Sequence, residues 1–378
     1  MNEPRENRLD ALYICTTPFQ VMSALSLVIN NKERADLYID AQFDGAAELG
    51  DKVRETGAFH EVVVLEGIRP IRMVREAPRK KERIKAILSL YRHIDETAAQ
   101  ILLPGRTYER MYATHNVFLA NLLMLWFSKR DIKTKIYYFD DGEGSYDNKD
   151  IFRTGSLDKM AKRVILGTKK LRGCRRYYMY SPDLFMKMHP ENKIPVYQLP
   201  NFNANPTVRR VIEEVFEITP EKGITEPVII LDCLKEVVLS PEDDERIVKL
   251  YDRLQAEFGE DKVIVKRHPR DTREYANPIR TYPYTTLPFE VTCLASEPKN
   301  MVLITLLSTA TIMPKLLLDE EPMIILLYHL FHRLEGDDAD RDRFFDLTRE
   351  TYRDPGRLCI PDSEEELNRL IQEIRSAI

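Results

Sequence analysis

The sequence predicts an α/β protein with two Rossmann-like domains, each containing a sheet of parallel strands. Short apolar runs of strand length alternate with helical patterns up to residue 150, and the alternation begins again after residue 226. The stretch 151–205 is first strongly basic and then rich in proline, which is typical of an interdomain connection or lid. We therefore expect domains over 1–200 and 201–378 that face a central cleft, with ligands at the carboxyl ends of the strands.

The first domain begins with a buried strand, "ALYICTT", and a helical segment, "PFQVMSALSLVINN", that ends at a pair of asparagines. A long basic helix is expected over 79–102 and an apolar helix over 119–127. Four further strands are predicted at "ADLYIDAQ", "HEVVVLEG", "RMYATHN" and "KIYYFDDG".

The second domain contains a long amphipathic helix that begins after Ser240 and ends before Gly259. One face of this helix carries five apolar residues, Ile247, Leu250, Tyr251, Leu254 and Phe258. Strands are predicted at "PVIILDCL", "KVIVKRHP", "MVLITLLST" and "EPMIILLY", and a shorter helix at "ATIMPKLLL". The last helix is expected to begin with a capping box formed by Ser363 and Glu366.

The composition predicts a cytoplasmic protein that does not bind nucleic acid. The net charge of -5 provides no general basic surface for a nucleic acid partner. The five cysteines are an odd number without a C-x-x-C pair, as expected of reduced, buried thiols. The N-terminal segment lacks the apolar core of a signal peptide, and no apolar run reaches the roughly 18 to 20 residues of a membrane span.

Two adjacent carboxylates, Asp140 and Asp141, follow an apolar strand and precede Gly142. One interpretation is an acidic turn, because Asp-Gly after a strand is common turn chemistry. The other is a general base, since neighbouring carboxylates repel and partial burial favours a carboxyl that titrates near neutral pH. A glycine at this place lets a substrate approach the backbone closely. Both interpretations stay open at this point.

A histidine, His268, follows another apolar strand and precedes Pro269, which restricts it to an extended conformation. Lys266, Arg267 and Arg270 beside it supply positive charge for a phosphate. The imidazole itself is able to give a proton to a leaving group. The alternative is a surface histidine before a proline turn.

Ser308 and Thr309 lie between a buried strand and a helix. They are expected either to cap that helix or to bind a phosphate, since hydroxyls and backbone N–H groups at a helix start point at an anion. The chain has neither the P-loop pattern nor the glycine fingerprint of dinucleotide sites. No His, Cys or Asp cluster has metal-ligand spacing, so no metal site is predicted.

Four segments, in this order, resemble the bacterial lipooligosaccharide sialyltransferases (glycosyltransferase family 52) and the related polysialyltransferases. The segments are "CTTPFQ", "FDDGEG", "KRHPRD" and "LLSTAT". The second is similar to the acidic D/E-D/E-G motif of the family, the third to its His-Pro motif and the fourth to its Ser-Ser/Thr motif. A further segment, "TLPFE", resembles one whose glutamate, here Glu290, reaches the nucleotide ribose in related enzymes.

The resemblance implies a GT-B fold and an inverting glycosyltransferase that needs neither a metal nor a cofactor. Its donor would be CMP-sialic acid, held by the C-terminal domain. Its acceptor would be a galactose-containing glycan of the bacterial surface, lipooligosaccharide or capsule, held by the N-terminal domain. Because family 52 also contains glucosyltransferases, another nucleotide sugar is an alternative donor. A degenerate GT-B protein that binds a nucleotide or glycan without turnover is a further alternative.

The resemblance also implies roles for single residues. Asp140 or Asp141 is expected to act as the general base, and His268 as the acid or the stabiliser of the phosphate. The expected donor-side residues are Lys266, Pro269, Arg270, Glu290, Ser308 and Thr309. The expected acceptor-side residues are Thr17, Gln20 and Gly142.

A second position for the base is open. In lipooligosaccharide sialyltransferases the proposed base is a carboxylate just after the first strand of the second domain. The corresponding loop here, "LDCLKEVVLSPEDD", offers Asp232, Glu236 and Asp243. In that alternative the acidic pair shapes the acceptor site instead.

Two basic stretches, 79–92 and 159–176, predict a peripheral contact with the anionic inner face of the bacterial inner membrane. Solvated surfaces are the alternative explanation. Some relatives are dimers, so a homodimer is an expectation from the resemblance alone. The expected partners are thus a nucleotide-sugar donor and a glycan acceptor, without nucleic acid.

Overall fold

The computed structural model describes residues 8–66, 74, 77, 79–114, 117–142, 144–147, 166–167, 169–232, 240–268, 279–331 and 338–378. The chain divides into two compact units, Met1–Val215 and Phe216–Ile378. Each unit has one sheet of parallel strands, with helices between the strands along the chain. The prediction of two α/β units with parallel sheets is confirmed.

The first unit has a seven-stranded sheet. Its strands are β1 (Arg8–Cys15), β2 (Ala35–Asp40), β3 (Glu61–Leu65), β4 (Thr107–Ala113), β5 (Lys135–Phe139), β6 (Cys174–Met179) and β7 (Val196–Gln198). Its helices are α1 (Pro18–Asn31), α2 (Ala46–Glu55), α3 (Lys80–Arg92), α4 (Ile94–Ile101), α5 (Phe118–Lys129), α6 (Gly144–Asp147), α7 (Pro182–Met188) and α8 (Pro206–Val215). Of the helices that the structure describes, none combines the length and the apolar character needed to cross a membrane.

The strand order of the first sheet is β3-β2-β1-β4-β5-β6-β7. The order changes direction between β1 and β4, which pair with each other in parallel. Strands added later in the chain extend the sheet to the two sides of this point, as in a doubly wound fold. The carboxyl ends of β1, β4, β5 and β6 therefore lie side by side along one edge.

Helix α1 shows how the local sequence sets the fold near that edge. The hydroxyl of Thr17 accepts a hydrogen bond from the Gln20 N–H at 3.2 Å, and Pro18 occupies the first turn. The helix ends before Lys32, which adopts a left-handed conformation with φ of 53°. All residues from Gln20 to Val28 are buried, so the middle of the helix is enclosed by the first unit.

The basic helix predicted over 79–102 is two helices, α3 and α4, that meet at His93. The backbone of His93 leaves the helical region (φ -103°, ψ 32°), and Asp95 lies in the first turn of α4, where an acid is favourable. Asp95 accepts hydrogen bonds from Trp126 Nε1 at 2.9 Å, Lys129 Nζ at 2.7 Å and Arg130 Nε at 2.8 Å. The bond from Lys129, followed by those from Arg130 and Trp126, lowers the pKa of Asp95 to about 2. Asp95 thereby ties α4 to the end of α5.

The prediction of a connection or lid over 151–205 is wrong for the second half of that stretch. Two strands there, β6 and β7, extend the first sheet beyond β5, and helix α7 lies between them. Their sequence signal is weak because β6 contains two arginines and β7 is a short edge strand preceded by a proline, which an edge strand tolerates. Helix α8 follows, packs against α1 and α2, and buries Val208, Val211, Ile212 and Val215.

Five tyrosines form a row across the first sheet, one each on β1, β4, β5, β6 and β7. Neighbouring ring centroids lie 4.5 Å apart for Tyr13 and Tyr112, and 5.3 Å apart for Tyr112 and Tyr137. The row continues with 6.1 Å between Tyr137 and Tyr178, and 5.6 Å between Tyr178 and Tyr197. Parallel pairing places three of the four neighbouring pairs in register, and Tyr137 and Tyr178 are offset by two residues. The ring contacts therefore link five neighbouring strands.

The second unit has a five-stranded sheet in the order β12-β11-β10-β8-β9. Its strands are β8 (Val228–Leu231), β9 (Val263–Lys266), β10 (Val302–Thr305), β11 (Met323–Leu326) and β12 (Leu358–Cys359). Its helices are α9 (Pro241–Phe258), α10 (Phe289–Thr292), α11 (Met313–Leu318), α12 (Asp338–Arg349) and α13 (Glu364–Ala377). The strand order changes direction between β8 and β10, which is the corresponding place for a ligand in this unit.

Helix α9 has the predicted bounds, between Ser240 and Gly259, which has a φ of 101°. The five apolar residues predicted to share its inner face are buried in one core with the strands and α13. The predicted cap of α13 is confirmed in part. The Ser363 hydroxyl accepts a hydrogen bond from the Glu366 N–H at 3.2 Å, but the Glu366 carboxylate accepts from the Asp362 N–H at 3.1 Å.

Candidate functional site

The acidic pair lies in a tight turn after β5, and its two carboxylates have different surroundings. Asp140 is fully buried, with an exposed fraction of 0%. Its Oδ1 accepts a hydrogen bond from the Gly142 N–H at 2.9 Å. Its Oδ2 accepts from the Tyr180 N–H at 3.0 Å and from the Tyr146 hydroxyl. Both oxygens of Asp140 are therefore occupied by donors of the protein itself.

Burial dominates the protonation of Asp140. Loss of solvation raises the pKa of its carboxyl to about 7, although its three hydrogen-bond donors favour the ionised form. The carboxylate of Asp141 also raises this pKa. The Tyr146 hydroxyl accepts a hydrogen bond from the Ser181 N–H at 3.1 Å, so the buried acid connects the turn after β5 with the start of α7. Through these contacts Asp140 holds the turn after β5 against the start of α7.

Asp141 is half-buried and is held at both carboxylate oxygens. Its Oδ2 accepts a hydrogen bond from Gln20 Nε2 at 3.1 Å, and its Oδ1 accepts from Ser145 Oγ at 2.9 Å. Ser145 Oγ in turn accepts from the Asp141 N–H at 3.0 Å. The side chain is thus fixed in direction but retains exposure to solvent. Of the two acids, Asp141 is the one with access to a substrate.

The amide of Gln20 is oriented by its neighbours. The side chain is buried, and its Oε1 accepts from the N–H of Thr16 at 2.7 Å and from the hydroxyl of Thr16 at 3.1 Å. Its Nε2 points the other way and donates to Thr114 Oγ1 at 2.9 Å as well as to Asp141. Two segments of the sequence, "CTTPFQ" and "FDDGEG", therefore meet in one hydrogen-bond network.

The other two predicted acceptor-side residues serve the local backbone. Thr17 is exposed, and its hydroxyl caps α1. Gly142 is buried and has a φ of 103°, which favours glycine, and its carbonyl accepts a hydrogen bond from the Ser145 N–H at 2.9 Å. The turn itself thus requires a glycine at this position.

The network lies at the carboxyl ends of four strands. Thr16 follows β1, Thr114 follows β4, Asp140 follows β5 and Tyr180 follows β6. This edge includes the point where the strand order changes direction, the usual place for a ligand in a parallel sheet. Sequence reasoning missed Thr114, Ser145, Tyr146 and Tyr180. Thr114 had a signal, because it lies in the polar last part of the predicted strand "RMYATHN", whereas the others depend on the pairing of β5 with β6.

In the second unit, Lys266 is the last residue of β9 and is buried. Its Nζ donates to the carbonyls of Tyr284 at 3.4 Å and Thr285 at 3.2 Å, and it lies 5.3 Å from the centroid of the Tyr282 ring. Burial lowers the pKa of Lys266 to about 8, and the carboxylate of Glu290 partly offsets that effect. These contacts anchor the segment that leads to Glu290.

Glu290 lies in the first turn of α10 and is half-buried. Burial raises the pKa of its carboxyl, and the ammonium group of Lys266 opposes that shift. His268 lies two residues beyond the end of β9 and is also half-buried. Because Lys266 and Glu290 each affect the pKa of the other, the structure brings these two side chains into one electrostatic pair. Pro269 and Arg270 lie outside the described residues.

Ser308 and Thr309 follow β10 and are half-exposed. Ser308 precedes a 3-10 helix, Thr309–Ile312, but its side chain makes no capping hydrogen bond. Its carbonyl instead accepts from the Thr311 hydroxyl at 2.7 Å and from the Thr311 N–H at 3.2 Å. The helix start thus does not use the hydroxyl of Ser308.

The alternative positions for a base are more enclosed than Asp141. Asp232 directly follows β8, is buried, and accepts a hydrogen bond at Oδ1 from the Tyr251 hydroxyl at 3.2 Å. Asp243 is also buried and pairs with Arg246 Nη1 at 3.0 Å. Glu236 lies outside the part of the chain that the structure describes.

Comparisons with known proteins include a distant structural likeness. No protein-family model matches the chain, and no curated protein matches it. Among solved structures, the crystal structure of TcCGT1 in complex with UDP aligns with a TM-score of 0.47 and 10% sequence identity, over 97% of this chain and 90% of that chain. A likeness of this size carries no conclusion about function. Among residues with a described position, no group of three or more His, Cys, Asp and Glu side chains is arranged to hold a metal ion.

Proposed function

We propose that this protein is an inverting glycosyltransferase that moves sialic acid from CMP-sialic acid to a galactose-containing glycan. The four sequence segments that resemble family 52 sialyltransferases and polysialyltransferases support this reaction class. The presence of two parallel α/β units supports it as well, because a GT-B enzyme is built from two such units.

The observation that carries the proposal is the hydrogen bond between Gln20 Nε2 and Asp141 Oδ2, at 3.1 Å. It joins two of the resembling segments at the carboxyl ends of β1 and β5, where parallel sheets bind ligands. An acidic turn after β5 needs no partner from β1, and a helix cap after β1 needs no carboxylate from β5. The contact therefore favours a shared site over two local structural explanations.

In the proposed reaction Asp141 is the general base. The acceptor hydroxyl attacks the anomeric carbon while the bond from that carbon to the phosphate oxygen breaks. The bonding electrons leave with CMP, and the hydroxyl proton passes to the Asp141 carboxylate. Asp141 suits this task because it is half-buried, whereas Asp140 is enclosed by its own donors.

The second unit is proposed to hold the donor. His268 would stabilise or protonate the CMP phosphate, and the hydroxyls of Ser308 and Thr309 would bind its oxygens. Glu290 would bind the ribose. A CMP donor carries a single phosphate, so one imidazole and a few hydroxyl and N–H donors are able to offset its charge. The Ser308 hydroxyl does not cap the 3-10 helix that follows it, which supports this assignment.

The proposal extends to contact between helix α3 and an anionic membrane surface. Three cationic side chains, Lys81, Lys85 and Arg92, lie on one exposed stripe of the helix together with Leu88. Leu88 is 51% exposed, which suits insertion between lipid headgroups. Cations attract anionic lipid and the leucine gains from apolar contact, so both parts of the stripe fit the same partner.

The first experiment is release of CMP from CMP-sialic acid by the purified protein, with EDTA present and with UDP-sugars and other CMP-sugars in parallel. We expect turnover of CMP-sialic acid alone. Asp141→Asn should lower transfer to a glycan by about 100-fold or more, because general bases contribute rate factors of that size. His268→Ala should lower CMP release as well.

Asp183→Asn is the matched control, because it removes an exposed carboxylate in the same unit without touching the network. Equal loss of activity in Asp183→Asn and Asp141→Asn would contradict the assignment of the base. Turnover of only a UDP-sugar would reject CMP-sialic acid as donor. Binding of a nucleotide without any turnover would favour the degenerate binding protein.

A further inference from the structure

We infer that Gln20 and Ser145 are positioning residues for Asp141, holding its carboxylate in place and directed at the acceptor hydroxyl. The inference rests on the proposed function, in which Asp141 receives the proton. The family resemblance gives Gln20 only a general place on the acceptor side, and it gives Ser145 no role. The assignment comes from three side chains that the fold brings together from α1, the turn after β5, and α6.

The two donors bind different oxygens of the Asp141 carboxylate. Gln20 Nε2 binds Oδ2 at 3.1 Å, and Ser145 Oγ binds Oδ1 at 2.9 Å. Two bonds to different oxygens restrain rotation of the carboxyl group as well as its position. A carboxylate oxygen has about two lone-pair sites, so each is able to accept a proton or a further hydrogen bond while it is held.

Gln20 cannot present its carbonyl to Asp141 without losing several contacts. In the observed orientation Oε1 faces two donors of Thr16, and Nε2 faces the oxygens of Thr114 and Asp141. Reversing the amide would set Nε2 against the Thr16 N–H and Oε1 against the Asp141 carboxylate. The buried surroundings of Gln20 thus specify a donor aimed at Asp141, which a residue present only for packing would not need.

Ser145 is fixed from the opposite side. Its hydroxyl donates to Asp141 Oδ1 and accepts from the Asp141 N–H, so it binds side chain and backbone of the same residue. Its own N–H donates to the Gly142 carbonyl at 2.9 Å. The next residue, Tyr146, is bonded to buried Asp140. The fully buried acid therefore anchors the short helix that carries Ser145.

The test uses Gln20→Met and Ser145→Ala in the full chain, assayed for transfer from CMP-sialic acid. For each variant we expect kcat to fall about 10- to 100-fold with little change in the KM for the donor. Ser145→Thr keeps the hydroxyl and should restore kcat.

Ser26→Ala is the matched control, because this buried serine of α1 donates to the Pro200 carbonyl at 3.2 Å and makes no contact with the network that the structure records. It should leave kcat unchanged. Variants that melt earlier but keep the wild-type kcat would overturn the inference and leave Gln20 and Ser145 with a role in packing only.

A second measurement separates this inference from the proposed function. Crystal structures of the wild type and of Gln20→Met show the orientation of the Asp141 carboxylate. If the wild type transfers no sugar but this carboxylate rotates away from its wild-type orientation in Gln20→Met, the positioning role stands and the glycosyltransferase proposal fails. An unchanged orientation would overturn the positioning role whether or not transfer is observed.

Discussion

Asp140 and Asp141 carry the same functional group on adjacent residues, but the turn after β5 directs one into the protein and leaves the other half-buried. Three donors surround Asp140, and burial outweighs their effect on its protonation. Gln20 and Ser145 hold Asp141 in a place where water and ligands still reach it. Two neighbouring carboxyls are thereby suited to different tasks, one structural and one chemical.

Asp140 should make the stability of the protein depend on pH. Its pKa is raised from 3.8 to about 7 by burial, so the folded carboxyl keeps a proton that the unfolded one releases. The contribution of Asp140 to the free energy of unfolding is therefore expected to be complete below about pH 4 and to fall as the pH rises toward 7. Asp140→Asn cannot titrate, so the difference in unfolding free energy between wild type and variant should shrink by at most about 1.4 kcal/mol per pH unit.

Urea unfolding at several pH values between 4 and 8 measures this difference, with Asp183→Asn as a control in which an exposed acid is removed. The Asn variant should also be less stable overall, because its amide N–H groups meet donors where the carboxylate accepted them. Parallel pH curves for wild type and Asp140→Asn would show that Asp140 stays ionised in the folded protein.

The sequence identifies the acidic pair but not the division of tasks within it. The pair follows a strand in a pattern that predicts a site at the sheet edge. The division depends on Tyr146, Tyr180 and Gln20, whose contacts form only when β1, β5 and β6 are assembled. Spacing along the chain contains no signal for such contacts, so both carboxylates remain equal candidates until the fold is known.

Helices with their own start and end signals were predicted closely. Helix α1 begins at Pro18 after its cap Thr17, and α9 lies between Ser240 and Gly259, as expected. The break between α3 and α4 has no glycine or proline to mark it, and it depends on the bonds that Asp95 receives from α5. Strands β6 and β7 were missed because their sequences resemble a basic, proline-rich connection.

Helix α3 gives the membrane proposal an element-level test. The double variant Lys81→Glu/Lys85→Glu should bind vesicles of phosphatidylglycerol and phosphatidylcholine at least about 30-fold more weakly than wild type, taking about 1 kcal/mol for each lysine removed. Leu88→Ser should also weaken vesicle binding, and its effect should persist at high salt, where the charged contribution is screened. Co-sedimentation with vesicles measures both effects.

The control for charge is Lys249→Glu/Arg369→Glu, which reverses two exposed cations on helices α9 and α13. It should leave vesicle binding unchanged. Binding of wild type to phosphatidylcholine alone, or equal losses in both double variants, would show that α3 is a solvated helix face without a lipid partner.

At the scale of the whole molecule, each unit has a complete parallel sheet and its own buried core, so each is expected to fold as a separate fragment. The first fragment should extend to Val215, because α8 packs on α1 and α2 and buries four apolar side chains. A fragment that ends at Asn205 should lose several kcal/mol of unfolding free energy, at about 1.5 to 3 kcal/mol for each side chain.

Thermal unfolding followed by circular dichroism compares the two fragments. The fragment Met1–Val215 with Arg210→Ala is the control, because Arg210 is exposed on the same helix and its loss should change little. Equal melting temperatures of the long and short fragments would mean that α8 adds nothing to the first unit.

The bond between Trp126 and Asp95 has a further, practical consequence. Trp126 is the single tryptophan of the chain, and it lies in the first unit, where its indole N–H donates to Asp95 at 2.9 Å. Its fluorescence emission therefore reports on that unit alone, since unfolding exposes the indole to water and shifts the emission to the red. Excitation that selects tryptophan therefore follows the first unit without a label. Comparison of this denaturation curve with one that follows the whole chain measures how independently the two units unfold.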